Sequence, residues 1–276
     1  MDYEKFRTEL LNELYNNINI LQSPSKDWVV KGFIDTYKNI YTISIDTKVI
    51  SKILELMLFP IILNIAHNNN LTIKLAKHQN HYPDISFINN TTNEVFSMDV
   101  KSTYRINDKN VNGFTLGAFT GYFRNRESNK NITFPYNKYN KHFVLGIIYT
   151  KQENIIDEKQ IYTIDDIENI LSVVSDFDFI LQEKYKIANS RTGSGNTKNI
   201  GSITDIDKLK SGDGPFSILG IETFDDYWMY YLTKDMAIDN TIPYTNLKEY
   251  GAYKQKAPPM ELLEEIEEED PINTEE

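Results

Sequence analysis

Two carboxylates and one lysine lie where a pair of strands would bring them together. Fourteen residues separate Asp84 from Asp99, and Lys101 follows Asp99 by two positions. Because side chains alternate along a strand, Asp99 and Lys101 would project from one face while Met98 and Val100 point into the core. A carboxylate and an ammonium group therefore leave the same face of the predicted strand.

The polar turn between the two predicted strands fixes which residues face each other. If Thr91 and Thr92 form its centre, paired positions sum to 183 and Asp84 lies opposite Asp99, with Cβ atoms about 4.5–5.5 Å apart. Two carboxylates this close repel each other, and a divalent cation such as Mg²⁺, which also binds phosphate oxygens, would neutralise them. The pattern predicts a metal-assisted site for phosphodiester hydrolysis in which Lys101 orients or deprotonates a water molecule. The alternative is a solvated face held by salt bridges.

Sequence periodicity places this site in a mixed α/β fold. Apolar residues at helical spacing, Phe6, Leu10 and Leu14 among them, predict a first amphipathic helix. A second helix is expected to begin at the N-cap residue Asp46 and to kink or restart at Pro60. Residues 28–34 and 39–45 predict a hairpin, further strands are expected at 72–76, 84–88, 95–103, 143–149 and near 178–181, and further helices near 165–173 and 224–233.

The composition indicates one compact domain, or one with an appended subdomain. Of the 276 residues, 40% are hydrophobic and 25% are charged, which suffices for a buried core. The longest apolar stretches, 59–66 and 143–149, are far shorter than the roughly 20 residues of a membrane span. The polar start at Met1-Asp2 differs from a signal peptide, and the absence of cysteine excludes disulfides and thiolate metal sites. We therefore expect a cytoplasmic protein without a membrane partner.

Charge is distributed unevenly along the chain. The net charge is −11, but nine acidic residues and no basic one fall in residues 261–276, which leaves −2 on residues 1–260. We expect this acidic tail to be disordered. Residues 101–141 carry eight basic against two acidic side chains, interleaved with Tyr and Phe. This segment either faces DNA phosphates or is a solvated face whose charge is balanced elsewhere in the fold.

Six ordered sequence blocks resemble one family of nucleases. The residues around Asp84 and Asp99 match the PD-(D/E)XK nuclease motif, and the chain from about residue 44 to 231 is similar to EcoRV-type type II restriction endonucleases. The blocks are Asp46-Thr47-Lys48-Val49 with Glu55-Leu56, Gln79-Asn80-His81-Tyr82-Pro83-Asp84, Asp99-Val100-Lys101-Ser102-Thr103-Tyr104, Phe114-Thr115-Leu116-Gly117, Gly193-Ser194-Gly195-Asn196-Thr197 with Asn199-Ile200-Gly201-Ser202-Ile203, and Asp226-Tyr227-Trp228.

The resemblance implies a fold, an oligomeric state and an activity. The fold is a restriction-endonuclease-like central mixed β-sheet flanked by helices. Combined with the sequence pattern, the resemblance leads us to expect a helix and hairpin used in a homodimer in residues 1–45 and the nuclease and DNA-binding domain in residues 46–255. The acidic tail at residues 256–276 is predicted from its composition alone. The activity is Mg²⁺-dependent hydrolysis of double-stranded DNA at a palindromic site, with a blunt cut and a 5′-phosphate product. The alternatives are a sequence-specific DNA-binding protein without cleavage and a non-specific repair nuclease of the same superfamily.

Carried over by resemblance, the site residues fall into a metal set, a catalytic lysine and a DNA-contacting set. Asp84, Asp99 and Glu55 would bind the metal, and Lys101 would be the catalytic lysine. The sequence alone predicts a solvated Glu55, because that residue lies opposite the apolar stripe of its helix. The residues implied to contact DNA are Lys48, Gln79, Asn80, Thr103, Lys130, Gly193, Ser194, Gly195, Asn196, Thr197 and Asn199.

The glycine-rich block at residues 193–197 is interpreted as a DNA-reading loop. Its spacing fits neither a dinucleotide fingerprint nor a Walker loop. Glycines let the backbone approach base edges, Asn reads adenine, and a Thr methyl contacts the methyl of thymine. Because Asn196 and Thr197 match reading residues of the family, the resemblance implies GATATC, cut at its centre, as the target. Methylation of the adenine that Asn196 contacts would block cleavage, which implies a cognate adenine methyltransferase as a functional partner.

Overall fold

The computed structural model describes residues 1–78, 80–153, 159–193, 198–233, 236 and 244–254. The tail at 256–276, predicted to be disordered, lies outside these ranges. The helices are α1 Tyr3–Asn16, α2 Thr47–Asn68, α3 Lys184–Ile187, α4 Ile206–Ser211, α5 Pro215–Leu219, α6 Ile221–Tyr230 and α7 Leu247–Tyr253. The strands are β1 Gly32–Ile34, β2 Ile40–Thr42, β3 Leu71–Leu75, β4 Ile85–Asn89, β5 Val95–Tyr104, β6 Thr115–Ala118, β7 Tyr139–Lys151, β8 Ile161–Tyr162, β9 Val174–Glu183, β10 Ala188–Thr192 and β11 Asn199–Ser202.

A five-stranded mixed sheet forms the centre of the fold, in the order β3-β4-β5-β7-β9. Strands β3, β4 and β5 are antiparallel, β5 and β7 are parallel, and β7 and β9 are antiparallel. Two three-stranded sheets accompany it, β1-β2-β8 and β10-β11-β6. The predicted mixed α/β architecture with a central mixed sheet flanked by helices is confirmed.

The register of β4 against β5 agrees with the sequence prediction. Pairs run from Ile85 with Met98 to Ile88 with Val95, so paired positions sum to 183. The turn is held by Asn89, whose side-chain oxygen accepts hydrogen bonds from the backbone N–H groups of Thr91 and Thr92. Continuing the same register by one residue places Asp84 opposite Asp99.

The first helix packs into the main core. Its N-cap is Asp2, whose side chain accepts a hydrogen bond from the backbone of Lys5. The predicted apolar stripe is buried, and Phe6 contacts the rings of Phe87 and Phe96 from the central sheet. Residues 1–45 therefore form two separate parts. Helix α1 shares the core of the central sheet, while the hairpin β1-β2 pairs with β8 at the surface.

Helix α2 begins where predicted and continues through Pro60. The carboxylate of Asp46 accepts hydrogen bonds from the backbone of Lys48 and Val49. The 22-residue helix is a single element, so Pro60 does not restart it. By length and a mean hydropathy of 2.0 it meets the criteria of a membrane span, although no uninterrupted apolar run of that length exists. We assign it to the protein core because seven of its residues are buried and it packs against α1 and β3.

Several elements differ from the sequence prediction. The helix expected near 165–173 is a 3₁₀ helix, Ile164–Asn169, and the strand expected at 143–149 is the longer β7. Strands β6, β8, β10 and β11 were not predicted, because they are two to five residues long and such short runs carry little period-two signal.

Candidate active site

The predicted hydrolytic residues lie together at the start of β4 and the middle of β5. One carboxylate oxygen of Asp84 accepts a hydrogen bond from the backbone N–H of Val100 at 2.8 Å, and Lys101 Nζ lies 3.1 Å from the same oxygen. Lys101 Nζ is also 3.4 Å from Asp99 Oδ2. The backbone N–H of Asp84 donates to Asp99 Oδ1 at 3.2 Å. Both carboxylates and the ammonium group therefore form one connected cluster.

Burial makes this cluster electrostatically unusual. The side chain of Asp99 is 4% exposed, and those of Asp84 and Lys101 are about one-quarter exposed. Burial, and the charge of Asp99 beside it, raise the pKa of the Asp84 carboxyl above its ordinary value. Burial alone would lower the pKa of Lys101, but the charges of Asp99 and Asp84 outweigh it and raise that pKa. Lys101 is therefore protonated at neutral pH in the free protein.

The protonation of Lys101 decides between its two predicted roles in the free protein. A protonated amine has three donors and no acceptor. It can orient a water molecule or stabilise negative charge on a phosphate, but it cannot accept a proton. The charged state of Lys101 in the free protein thus favours the orienting role over the base role.

The donor set fits a hard divalent cation. Mg²⁺ is typically held by one or two carboxylates, with phosphate oxygens and water completing its shell, and Asp84 and Asp99 supply such a pair. Within the described ranges, no group of three or more His, Asp or Glu side chains is placed to hold a metal ion. Glu55 lies on α2, where its carboxylate pairs with Lys52 Nζ at 2.8 Å and remains 37% exposed. The structure therefore brings Asp84, Asp99 and Lys101 together and leaves Glu55 with Lys52.

An open polar cleft adjoins the cluster. Lys101, Thr103 and Thr47 line it, together with Asn112 and Thr115. The hydroxyl of Thr103 is buried and has no hydrogen-bond partner in the part of the chain that the structure describes. An unsatisfied buried hydroxyl costs free energy, and an incoming phosphate oxygen would accept its hydrogen bond. Thr103 therefore has an unused hydrogen-bond donor beside the cleft, and its contact with the DNA backbone stays a prediction.

Comparisons with known proteins agree with this geometry. The family model for restriction endonuclease EcoRV matches residues 24–255. The type II restriction enzyme EcoRV of Escherichia coli is 34% identical over 247 residues, which cover 88% of this chain and 95% of that protein. The chain belongs to the EcoRV family. Among solved structures, the NlaIV restriction endonuclease is similar with a TM-score of 0.45 and 13% identity, over 95% of each chain; the family assignment rests on the two sequence comparisons.

Membership of the EcoRV family confirms the enzyme class expected from the six sequence blocks. The protein is a type II site-specific deoxyribonuclease, a hydrolase that acts on double-stranded DNA. EcoRV-like endonucleases generally depend on a divalent metal ion, which agrees with the paired carboxylates of Asp84 and Asp99.

The predicted reading loop is only partly described. Ser194, Gly195, Asn196 and Thr197 lie outside the described residues, as does Gln79, another predicted DNA contact. At the two ends of the reading loop, the backbone N–H of Gly193 donates to the carbonyl of Asn199 at 3.1 Å. The remaining predicted DNA contacts, Asn80, Lys130 and Lys48, are exposed.

Gly201, a residue without a predicted role, controls how closely β10 and β11 approach each other at this loop. A Cβ atom on Gly201 would lie 2.8 Å from Gly193 Cα and 3.0 Å from Gly193 N. Real Cβ contacts are not that short, so β10 and β11 can pair here only because position 201 lacks a side chain. Gly193 therefore has a packing role beside its predicted role at the DNA.

The basic and aromatic segment at residues 101–141 buries several of its aromatic rings and pairs some of its basic side chains within the fold. Phe114, Phe119 and Phe123 are buried in the second hydrophobic cluster. Arg126 pairs with Asp225 at 2.7 Å, and Lys141 pairs with Glu183 at 2.8 Å. Of the two interpretations of this segment, the structure favours charge balanced within the fold for these side chains. Composition alone could not separate them, because aromatic residues are common in cores as well as in nucleic-acid surfaces.

Proposed function

We propose that the protein cuts both strands of GATATC at the centre, in the presence of Mg²⁺, and leaves blunt ends with 5′-phosphates. The observation that carries this proposal is the connected cluster of Asp84, Asp99 and Lys101 beside a polar cleft. In a member of the EcoRV family, this cluster is the arrangement expected for phosphodiester hydrolysis.

The hydrolysis requires an activated water molecule and charge stabilisation at phosphorus. The water oxygen forms a bond to phosphorus, the bond from phosphorus to O3′ breaks, and O3′ leaves with a proton. We assign Asp84 and Asp99 as the residues that hold the divalent cation, which supplies Lewis-acid chemistry when bound. Lys101, protonated and 3.1 Å from Asp84, orients the water or stabilises the charge on the phosphate oxygens. Glu55 as an additional ligand remains a prediction of the resemblance.

The cleft next to Lys101 is proposed to hold the DNA backbone at the cut. Its hydroxyl and amide side chains, with the unpartnered Thr103, match the acceptor oxygens of a phosphodiester. Lys48 follows Thr47 of the cleft and is exposed on the first turn of α2, where an ammonium can reach a phosphate. Asn80 and Lys130, exposed in loops, are proposed as further DNA contacts.

The target sequence is proposed from the reading loop. The contacts with base edges are assigned to residues 193–197 and 199, with Asn196 on adenine. A methyl group on adenine N6 removes a donor proton and adds bulk where the Asn side chain must approach. We therefore propose that a cognate adenine methyltransferase protects the host DNA, and that both enzymes work in the cytoplasm.

A homodimer is proposed from the symmetry of the target and from an exposed apolar surface. A two-fold protein matches a palindromic site. The small sheet β1-β2-β8 exposes Phe33, Ile34 and Ile161, each more than half exposed, and Tyr37 at its turn is 85% exposed. Contiguous apolar patches of this kind are typical of protein interfaces. The N-terminal hairpin is accordingly the proposed dimerisation element.

Digestion of plasmid DNA, followed by sequencing of the ends, tests the proposal. Purified protein with Mg²⁺ should yield discrete fragments whose blunt ends map to the centre of GATATC, and the same DNA methylated at the reading adenine should stay uncut. Blunt ends at another hexamer would refute the assigned target but not the nuclease. Random ends would favour a non-specific nuclease, and specific binding without any cut would favour a DNA-binding protein that does not cleave.

A further inference from the structure

One buried lysine lies close to the active site without a partner of its own. Lys184 is the first residue of α3, directly after β9, and is 1% exposed. Within the part of the chain that the structure describes, its Nζ has no hydrogen-bond partner. Burying an ammonium group is costly unless opposite charge or hydrogen bonds compensate for it. The position of Lys184 therefore requires a compensating interaction.

The side chains around Lys184 connect it to the segment that precedes Asp84. Its Nζ lies 4.3 Å from the ring centroid of Tyr82, a cation–π distance. Tyr82 is two residues before Asp84, and its hydroxyl bonds to His142 Nδ1 at 2.7 Å. Gly117 also lies beside the ammonium group, since a Cβ there would be in ordinary contact with Lys184 Nζ at 3.6 Å. The cation is thus packed against Tyr82 in the interior and is not among the residues that line the cleft.

Electrostatics tie Lys184 to the same carboxylate that Lys101 contacts. Burial lowers the pKa of Lys184 to about 8, while the charge of Asp99 opposes this and favours the charged form. The side chain is therefore mainly charged at neutral pH. Lys101 repels it and Asp225 attracts it more weakly than Asp99 does. The negative charge of Asp99 is the main electrostatic interaction that compensates for burial of this cation.

We propose that Lys184 is a positioning residue that balances the carboxylate pair from inside the protein and so limits how tightly the site holds a divalent cation. The inference rests on the proposed function of Asp84 and Asp99 as cation ligands. Lys184 does not reach the cleft and touches no substrate. It acts through Asp99, whose charge it partly offsets, and through Tyr82, whose ring it contacts.

An electrostatic role and a packing role of Lys184 predict opposite changes in the affinity of the site for a divalent cation. Loss of a packing residue behind a site would loosen Asp84 and weaken cation binding. Loss of a positive charge near two carboxylates would remove a repulsion against the incoming cation and strengthen binding. Lys184→Met, which keeps an unbranched side chain and removes the charge, separates these two outcomes.

The test is a titration of the free, full-length protein with Mn²⁺ alone, with free Mn²⁺ counted by electron paramagnetic resonance at pH 7. We expect K184M to bind Mn²⁺ severalfold more tightly than the wild type, and K184R, which keeps the charge, to resemble the wild type. Lys186→Met is the matched control, because Lys186 is on the same short helix with its Nζ 3.8 Å from Glu183. K186M should leave the Mn²⁺ affinity unchanged.

An affinity for Mn²⁺ that is unchanged or weaker in K184M would overturn the proposal. If K184M does not fold, K184Q takes its place with the same expectation. Failure of both neutral variants while K184R folds would support a requirement for charge, whereas failure of all three would make Lys184 a packing residue and overturn the proposal. A wild-type protein that neither binds Mn²⁺ nor cuts DNA would instead refute the proposed function.

Discussion

The strands that carry the carboxylates and the strands that flank the reading loop are positioned by different means. Asp99 and Lys101 are on β5, which has ten residues and pairs over most of its length with the thirteen-residue β7, while Asp84 directly precedes β4, the other neighbour of β5. Strands β6, β10 and β11 have four or five residues, and their pairing contains register shifts. At the reading sheet, close backbone contact between Gly193 and Gly201 replaces a long ladder.

This difference separates catalysis from recognition within one fold. A long ladder fixes side-chain positions, so a substitution at Asp84, Asp99 or Lys101 changes the chemistry of the site and leaves the backbone in place. The sheet β10-β11-β6 depends on backbone fit, so a small steric change there should move the loop proposed to contact bases. Variants at the carboxylate cluster should therefore lose cutting and keep DNA binding. Variants at the sheet β10-β11-β6 should lose specific DNA binding.

Lys101→Ala should have a large effect on cutting. It removes the ammonium group that contacts both carboxylates, and loss of one group that stabilises developing charge typically costs about 10²- to 10³-fold in rate. Single-turnover cleavage of a GATATC duplex measures this loss, and gel-shift binding with Ca²⁺ in place of Mg²⁺ should be unchanged. A cleavage rate near that of the wild type would remove Lys101 from the site.

Gly201→Ala should impair specific DNA binding and leave the carboxylate cluster intact. Its new methyl group meets the backbone of Gly193, and we expect a loss of specific binding with a stability loss of about 1–3 kcal/mol. Mn²⁺ binding to the free protein should stay intact, because Asp84 and Asp99 are on other strands.

Gly220→Ala is the matched control for that variant. Gly220 has a φ of +85° and open space around a Cβ atom, so the alanine costs stability through backbone strain alone. Specific DNA binding should fall in G201A and not in G220A. Equal binding by both variants would show that the contact between β10 and β11 does not position the reading loop.

The smallest of these predicted effects is a change in stability, and Asp84→Asn, which should also impair cutting, is the variant that shows it. Because the pKa of Asp84 is raised in the folded protein, its ionisation costs stability as pH rises through that pKa. At pH 7, D84N should unfold a few degrees higher than the wild type, and the difference should vanish below about pH 4. Thermal unfolding followed by circular dichroism measures both.

Asp178→Asn is the control with the opposite sign. Burial raises the pKa of Asp178, but hydrogen bonds from Lys210 and Tyr15 outweigh it and hold that pKa below its ordinary value. D178N should therefore lose stability at pH 7 and approach the wild type as pH falls. A destabilised D84N at pH 7 would contradict the idea that catalysis is built on a costly carboxylate pair.

The sequence was sufficient to predict how β4 and β5 pair, because the turn and the side-chain alternation that determine this pairing are local features. The turn at Thr91-Thr92 set the register, and alternation set the faces of Asp99 and Lys101. Asp46 marked the start of α2 for the same reason, since capping residues act within one turn.

Long-range packing decided what the sequence did not predict. A single lysine in a polar stretch is usually solvated, and only the placement of α3 behind β9 buries Lys184. The contact between Gly193 and Gly201 likewise depends on two short strands meeting. Aromatic residues such as Phe119, which looked available to DNA, are buried by helix α6 through Trp228.

The most direct test of the separation between catalysis and recognition compares wild type and Asp84→Ala on one GATATC duplex. Binding is measured with Ca²⁺ and cutting with Mg²⁺, and a duplex with one base pair changed serves as the non-specific reference. We expect the wild type to bind and cut the GATATC duplex, and D84A to bind it as tightly without cutting. Cutting by D84A at a rate near that of the wild type, or loss of its preference for GATATC, would contradict the account.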